Sequence, residues 1–124
     1  MKFIIYGNQE DAKGNPIPYH RSTQGGQWKP AVIRYNEWKD HVAKAYCDAS
    51  GVTTVARKPI PKQAGKVYVD ILIFYKDKKH ADSDNIAKGI NDALFENDKF
   101  VAGSYDFEYD AENPRVEVSI RGLK

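Results

Sequence analysis

The sequence predicts one small α/β domain of the α+β kind, a mixed β-sheet with helices packed on it, in the order β-α-β-α-β-β. Three observations carry this. Val67, Val69, Ile71, Ile73 and Tyr75 alternate as a strand does. Val32, Tyr35, Trp38, Val42, Ala45 and Tyr46 recur at three- and four-residue spacing, as on one helix face. Val116, Val118 and Ile120 alternate again near the end. At 124 residues the chain fits a single domain, 1–124, with room for a real core.

Phe3 to Tyr6 reads as a short first strand, closed by Gly7-Asn8. From Asn8 to Lys29 the chain is polar, rich in Gly, Pro and Gln, and without periodicity. A connection this long in a compact domain is functional or disordered. Lys13, His20, Arg21 and Lys29 alternate there with Tyr19 and Trp28. Basic side chains contact phosphates and aromatic rings stack on bases, so a nucleic-acid-contacting loop is one reading. The other is a polar loop with Trp28 tucked onto the core.

Pro30 starts the first helix, where its missing N–H costs nothing, and Gly51 ends it. His41 falls beside the apolar stripe, and Cys47, in the same helical pattern, is expected to be a small core residue. Pro59, Pro61 and Gly65 mark a connector. Lys66 to Lys76 is the clearest strand, with both faces apolar from Leu72 onward, the pattern of an interior strand covered on both sides. Asp70 breaks the second face and is expected near an exposed end. Ser83 or Asp84 caps a second helix that buries Ile86, Ile90, Ala93 and Leu94. Tyr105 to Tyr109 and Arg115 to Ile120 then read as a hairpin around Ala111 to Pro114.

The net charge of +2 is nearly balanced, so only its distribution is informative. Arg57, Lys58, Lys62, Lys66, Lys76, Lys78 and Lys79 are opposed locally by Asp70 and Asp77 alone, while Asp106 to Glu112 is acidic. That asymmetry suits one face turned to a polyanion, and equally an ordinary solvated surface. A single cysteine excludes an intramolecular disulfide. No apolar run is long enough to span a bilayer, so no membrane partner is expected and a cytoplasmic location is the default.

The chemistry concentrates in His80-Ala81-Asp82-Ser83-Asp84-Asn85, with Lys88 and Asp98 beyond. Asp82 and Asp84, one residue apart after a strand, point the same way if the backbone is extended. Lys88 lies one helical turn past Asp84. Paired carboxylates repel, so a cation between them is favourable, and Mg²⁺ takes hard oxygen ligands from few carboxylates plus substrate phosphates. The plainer reading of a bare D-x-D-N is a helix start, with Asp84 as N-cap, Asp82 exposed and Lys88 in a helix ion pair. Ile86 excludes an EF-hand loop, and His80-x-Asp82 has no further Cys or His to make a zinc site.

Taken together, Asp82-x-Asp84-Asn85, Lys88, Asn91-Asp92-Ala93-Leu94 and Asp98 before Val101 resemble the signature of the RusA family of Holliday-junction resolvases. The likeness covers about Lys66 to Ile120; from Asn8 to Gly51 it is one of pattern only. The resemblance implies a homodimeric, Mg²⁺-dependent nuclease of four-way DNA junctions, active in recombination and repair. Its metal-binding and catalytic aspartates fall on Asp82, Asp84 and Asp98, and its catalytic lysine on Lys88. Lys76, Lys78, Lys79 and His80, with Lys13 and Arg21 from the long loop, would lie along the DNA. Many relatives have two adjacent aspartates where this chain has Asn97-Asp98, and Asn97 brings no charge. Asp92 is read as structural.

Two rival readings are a non-catalytic binder of branched or single-stranded DNA, and a metal-dependent enzyme acting on a small phosphorylated substrate. The latter needs an enclosed pocket. Chain length limits how the three aspartates can meet. A helix from about Asn85 to Phe95 is roughly 15 Å long, and Glu96 to Asp98 span only about 10 Å back. Asp98 joins Asp82 and Asp84 only if the helix is shorter, if a strand carries Asp98 alongside, or if a partner subunit donates it.

Overall fold

The computed structural model describes residues 1–21, 26, 28–52 and 58–123. Arg57, counted in the basic segment, and part of the long loop lie outside them. The elements are β1 (Lys2–Tyr6), α1 (Pro30–Ser50), β2 (Val67–Tyr75), α2 (Ser83–Leu94), β3 (Val101–Tyr109) and β4 (Arg115–Arg121). The expected order holds.

Local chemistry sets the boundaries. Pro30 occupies the first turn of α1, and Gly51 ends it with φ 72°, a left-handed conformation that glycine adopts at little cost. α1 buries Val32, Tyr35, Trp38, Val42 and Tyr46; α2 buries Ile86, Ala87, Gly89, Ile90, Ala93 and Leu94. Both faces meet Phe3, Ile5, Val67, Val69, Ile71, Ile73, Val116, Val118 and Ile120 in one core. Cys47 packs at its margin.

The sheet order is β1-β4-β2-β3. β4 is antiparallel to both β1 and β2, whereas β2 and β3 are parallel, as the α2 crossover requires. This overturns the hairpin expected of the last two strands. β2 lies between β3 and β4, and the Ala111 to Pro114 turn passes beyond its end. Alternation in two successive strands reveals which faces are apolar, but not whether a third strand separates them.

The second face of β2 is also not covered as expected. The core residues of β1, β2 and β4 all lie on the helix side; Leu72 and Phe74, on the other, are only half-buried. That outer face is dressed with charge instead. The Arg115 guanidinium lies 3.7 Å over the Phe74 ring and also pairs with Asp110 and Glu117. Asp70 sits mid-strand rather than near an end, held by Ser104 at 3.0 Å and Arg121 at 3.2 Å. Long cationic side chains shield the apolar residues while keeping their heads in water.

Candidate active site

The C-terminal edge of β2 delivers its chain to the start of α2 through Lys76 to Asp82. Tyr75, the last strand residue, is fully buried, and its hydroxyl lies 2.9 Å from Ser83 Oγ and 3.2 Å from the Ala81 carbonyl. Burial pushes the Tyr75 phenol up, so it stays protonated. The His80 ring stacks on Tyr75 at 3.5 Å, while its Nδ1 faces the Ala81 carbonyl at 2.7 Å and its Nε2 the Tyr109 hydroxyl at 3.0 Å. With both ring nitrogens engaged, His80 braces the loop, in contrast to the exposed Lys76, Lys78 and Lys79.

Asp82 occupies the N-cap position of α2, with φ −64° and ψ 141°, but its side chain makes no cap hydrogen bond. Ser83 and Asp84 are already helical, so the pair is not set on extended backbone as the spacing implied. Among the described residues Asp84 Oδ1 accepts only the N–H of its neighbour Asn85. Neither carboxylate has an ion-pair partner among the described residues, and both are exposed at the positive end of a helix dipole. The cap-and-salt-bridge reading of D-x-D-N is therefore not the arrangement observed. Lys88, exposed one turn on, makes no ion pair with Asp84; its ammonium lies 4.4 Å over the Tyr19 ring.

Asn15, which the sequence reading missed, ties the long loop to this edge. Its amide donates to Asp77 Oδ1 and to the Lys79 carbonyl, each at 3.2 Å, and its Oδ1 accepts the Lys76 N–H. Asp77 also accepts the Lys79 N–H at 3.0 Å. The one acid of the run thus turns toward the loop, and the lysines are left to solvent. Asn15, Arg34, Lys76, Lys78 and Lys79 line an open groove of about 550 Å³. It is cationic and unenclosed, unlike a small-substrate pocket. The only hint in the sequence was a polar residue between Gly14 and Pro16.

Tyr19 donates its N–H to the Asn85 carbonyl at 3.1 Å, so the long loop runs along α2. A Cβ on Gly89 would stand 3.3 Å from Tyr19 N and from Tyr35 Cε1, which makes the glycine a close-approach position. Lys13 and Arg21 are exposed on the same loop. Trp28, expected against the core if the loop were inert, is 78% exposed.

Asp98 does not join Asp82 and Asp84. It lies past the far end of α2, beside Lys58, Asp92, Glu96 and Asn97. The 12 residues of α2 span about 18 Å. Because β2 and β3 are parallel, the loop that enters α2 and the loop that leaves it must sit at opposite ends of the strands. Among the described residues no three His, Cys, Asp or Glu side chains converge as a metal ion would need. Asp82 and Asp84 offer two unpaired hard-oxygen donors, which fits a divalent cation, but one chain brings no third acid to them.

Asp92 has a structural post. It accepts from the Tyr35 hydroxyl at 2.7 Å, Lys58 at 3.1 Å and Lys39 at 3.3 Å, which joins α1 to α2. Burial pushes its carboxyl up, and the Tyr35 and Lys58 contacts outweigh it, holding the group below the usual range. No described helix is long and apolar enough to cross a membrane.

The sequence profile of the family described as Endodeoxyribonuclease RusA matches residues 12–121. The match includes the long loop and α1, beyond the stretch that carried the motif likeness. No curated protein matches the chain.

Proposed function

Since the chain belongs to the RusA family of endodeoxyribonucleases, we propose that it resolves four-way DNA junctions by paired phosphodiester cuts, with Mg²⁺ as its metal and a homodimer as its working form. The observation that carries this is the pair Asp82 and Asp84, exposed, unpaired and not used to cap α2, beside a lysine-lined groove.

Asp82 and Asp84 would hold the cation, and a partner subunit's Asp98 would supply the third carboxylate, since each chain keeps its own at the opposite end of the strands. When bound, the metal polarises a phosphodiester and lowers the pKa of an attacking water. The chain's own groups do the rest. Lys76, Lys78 and Lys79 bind backbone phosphates along the groove, with Lys13 and Arg21 extending the footprint. Lys88, held over Tyr19, stands one turn from Asp84 to offset negative charge on the phosphate as it is attacked. Two sites related by a two-fold axis cut two strands of the junction symmetrically.

The test is a labelled four-way junction with the purified protein, with and without Mg²⁺. Paired nicked-duplex products that need the metal are expected. Binding without cutting would favour a non-catalytic branched-DNA protein, and cutting only of a small phosphate ester would favour the small-substrate enzyme.

A further inference from the structure

Lys88 stands between two acids of its own helix, Asp84 one turn before it and Asp92 one turn after. Both spacings bring side chains within reach on one helix face. Asp92 is already engaged, by the Tyr35 hydroxyl at 2.7 Å and by Lys58 and Lys39 at 3.1 and 3.3 Å. Asp84 has no cation against it among the described residues. An acid one turn N-terminal to a lysine is also the favourable order for a helix ion pair. The pair does not form; the Lys88 ammonium lies 4.4 Å over the Tyr19 ring instead.

That ring is fixed by its surroundings. The Tyr19 N–H donates to the Asn85 carbonyl at 3.1 Å. The ring meets that of Tyr35 in a T-shaped contact, centroids 5.4 Å apart, and Asp92 in turn holds the Tyr35 hydroxyl. Gly89 leaves the room for this, since a Cβ there would stand 3.3 Å from Tyr19 N. Among the described residues the Tyr19 hydroxyl has no hydrogen-bond partner. The fold uses the face of the ring, not the phenol.

We propose that Tyr19 is a positioning residue: its ring holds the Lys88 ammonium off Asp84 and so keeps that carboxylate open to a divalent cation. This rests on the reading above that Asp82 and Asp84 hold the metal. An exposed ion pair one turn apart gains little, because water screens both charges and two flexible side chains must be ordered. A half-buried aromatic face attracts a cation at least as strongly, and this ring is already immobile. Without the ring, Asp84 is the one free acid within reach of Lys88. The lysine then becomes a tethered cation that competes with the metal for the same oxygens. Because Tyr19 lies on the loop that carries Lys13 and Arg21, the segment read as a DNA contact also sets the state of the metal site.

The test compares Tyr19→Phe, Tyr19→Leu, Lys88→Gln and the double variant Tyr19→Leu/Lys88→Gln with wild type, all as the full chain. Without metal or DNA, nuclear magnetic resonance should show the Lys88 ε-methylene protons shifted upfield by the ring in wild type and Tyr19→Phe. In Tyr19→Leu they should be unshifted. Calorimetric titration with Mg²⁺ should give Tyr19→Leu an affinity about two- to fivefold below wild type, the fold-change of one exposed ion pair. Tyr19→Phe should match wild type, since it keeps the ring. The double variant should bind Mg²⁺ as Lys88→Gln does, because the competing cation is gone. A defect that persists in the double variant would make Tyr19 merely structural and overturn the proposal. Unshifted Lys88 protons in wild type would overturn it as well. Wild-type protein that takes up no Mg²⁺ would overturn the metal reading itself, so the two fail by different measurements.

Discussion

The Tyr75 hydroxyl lies 2.9 Å from Ser83 Oγ, which ties the last residue of β2 to the first residue of α2. Ser83 stands between Asp82 and Asp84, so this one contact between buried strand and helix start sets the bearing of both carboxylates. His80, stacked on the same ring, holds the loop between them.

Tyr75→Phe keeps the ring and its packing but removes the tie. Stability should fall by only about 0.5–1.5 kcal/mol, the net value of one hydrogen bond. Turnover should fall further, by roughly ten- to a hundredfold, because small misplacements of reacting groups are costly. Single-turnover cleavage beside junction affinity checks this: the rate should drop while affinity stays.

Asp82→Asn and Asp84→Asn should each abolish junction cleavage in Mg²⁺ and leave binding intact or tighter, since a negative charge facing phosphate is removed. The loss corresponds to several kcal/mol of transition-state stabilisation, hence several orders of magnitude in rate. Near wild-type turnover in either variant would rule the pair out as the metal site.

Mixing inactive Asp82→Asn protein with inactive Asp98→Asn protein should restore one cut per junction, because a mixed dimer assembles one intact site from two chains. Gel separation of singly and doubly nicked products reads this directly. If the mixture stays dead while the subunits are shown to exchange, Asp98 does not act across the interface.

Replacing Lys78 and Lys79 by Ala should weaken binding to any DNA and lower the slope of log affinity against log salt by roughly two, about one per phosphate contact. A titration across salt concentrations measures it; an unchanged slope would mean that this loop faces solvent.

Asp92 predicts a pH signature in stability. Its carboxyl is held below the usual range in the folded protein, so its contribution is present above the unfolded value and is lost as pH falls through the folded one. Asp92→Asn should cost about 1–2 kcal/mol at neutral pH, discounted for partial exposure of the group and its lysines. In acid denaturation the gap to wild type should close below the ordinary carboxylate range.

The sequence by itself determined the elements and their order. Alternation and three-to-four spacing report which side of a strand or helix meets the core, and Pro30 and Gly51 mark ends through their own backbone restrictions. It could also show, from helix length alone, that Asp98 was hard to bring to Asp82. Only the tertiary structure decided that β2 separates β3 from β4, that one sheet face stays open under Arg115 and Arg121, and that Asn15 clamps the basic loop. It also put Asp98 at the end of the strands opposite Asp82 and left β3 with β2 as its one strand neighbour among the described residues. These are matters of which segments become neighbours across long stretches of chain. Local periodicity carries no record of that, because any apolar face can be buried against several alternative partners.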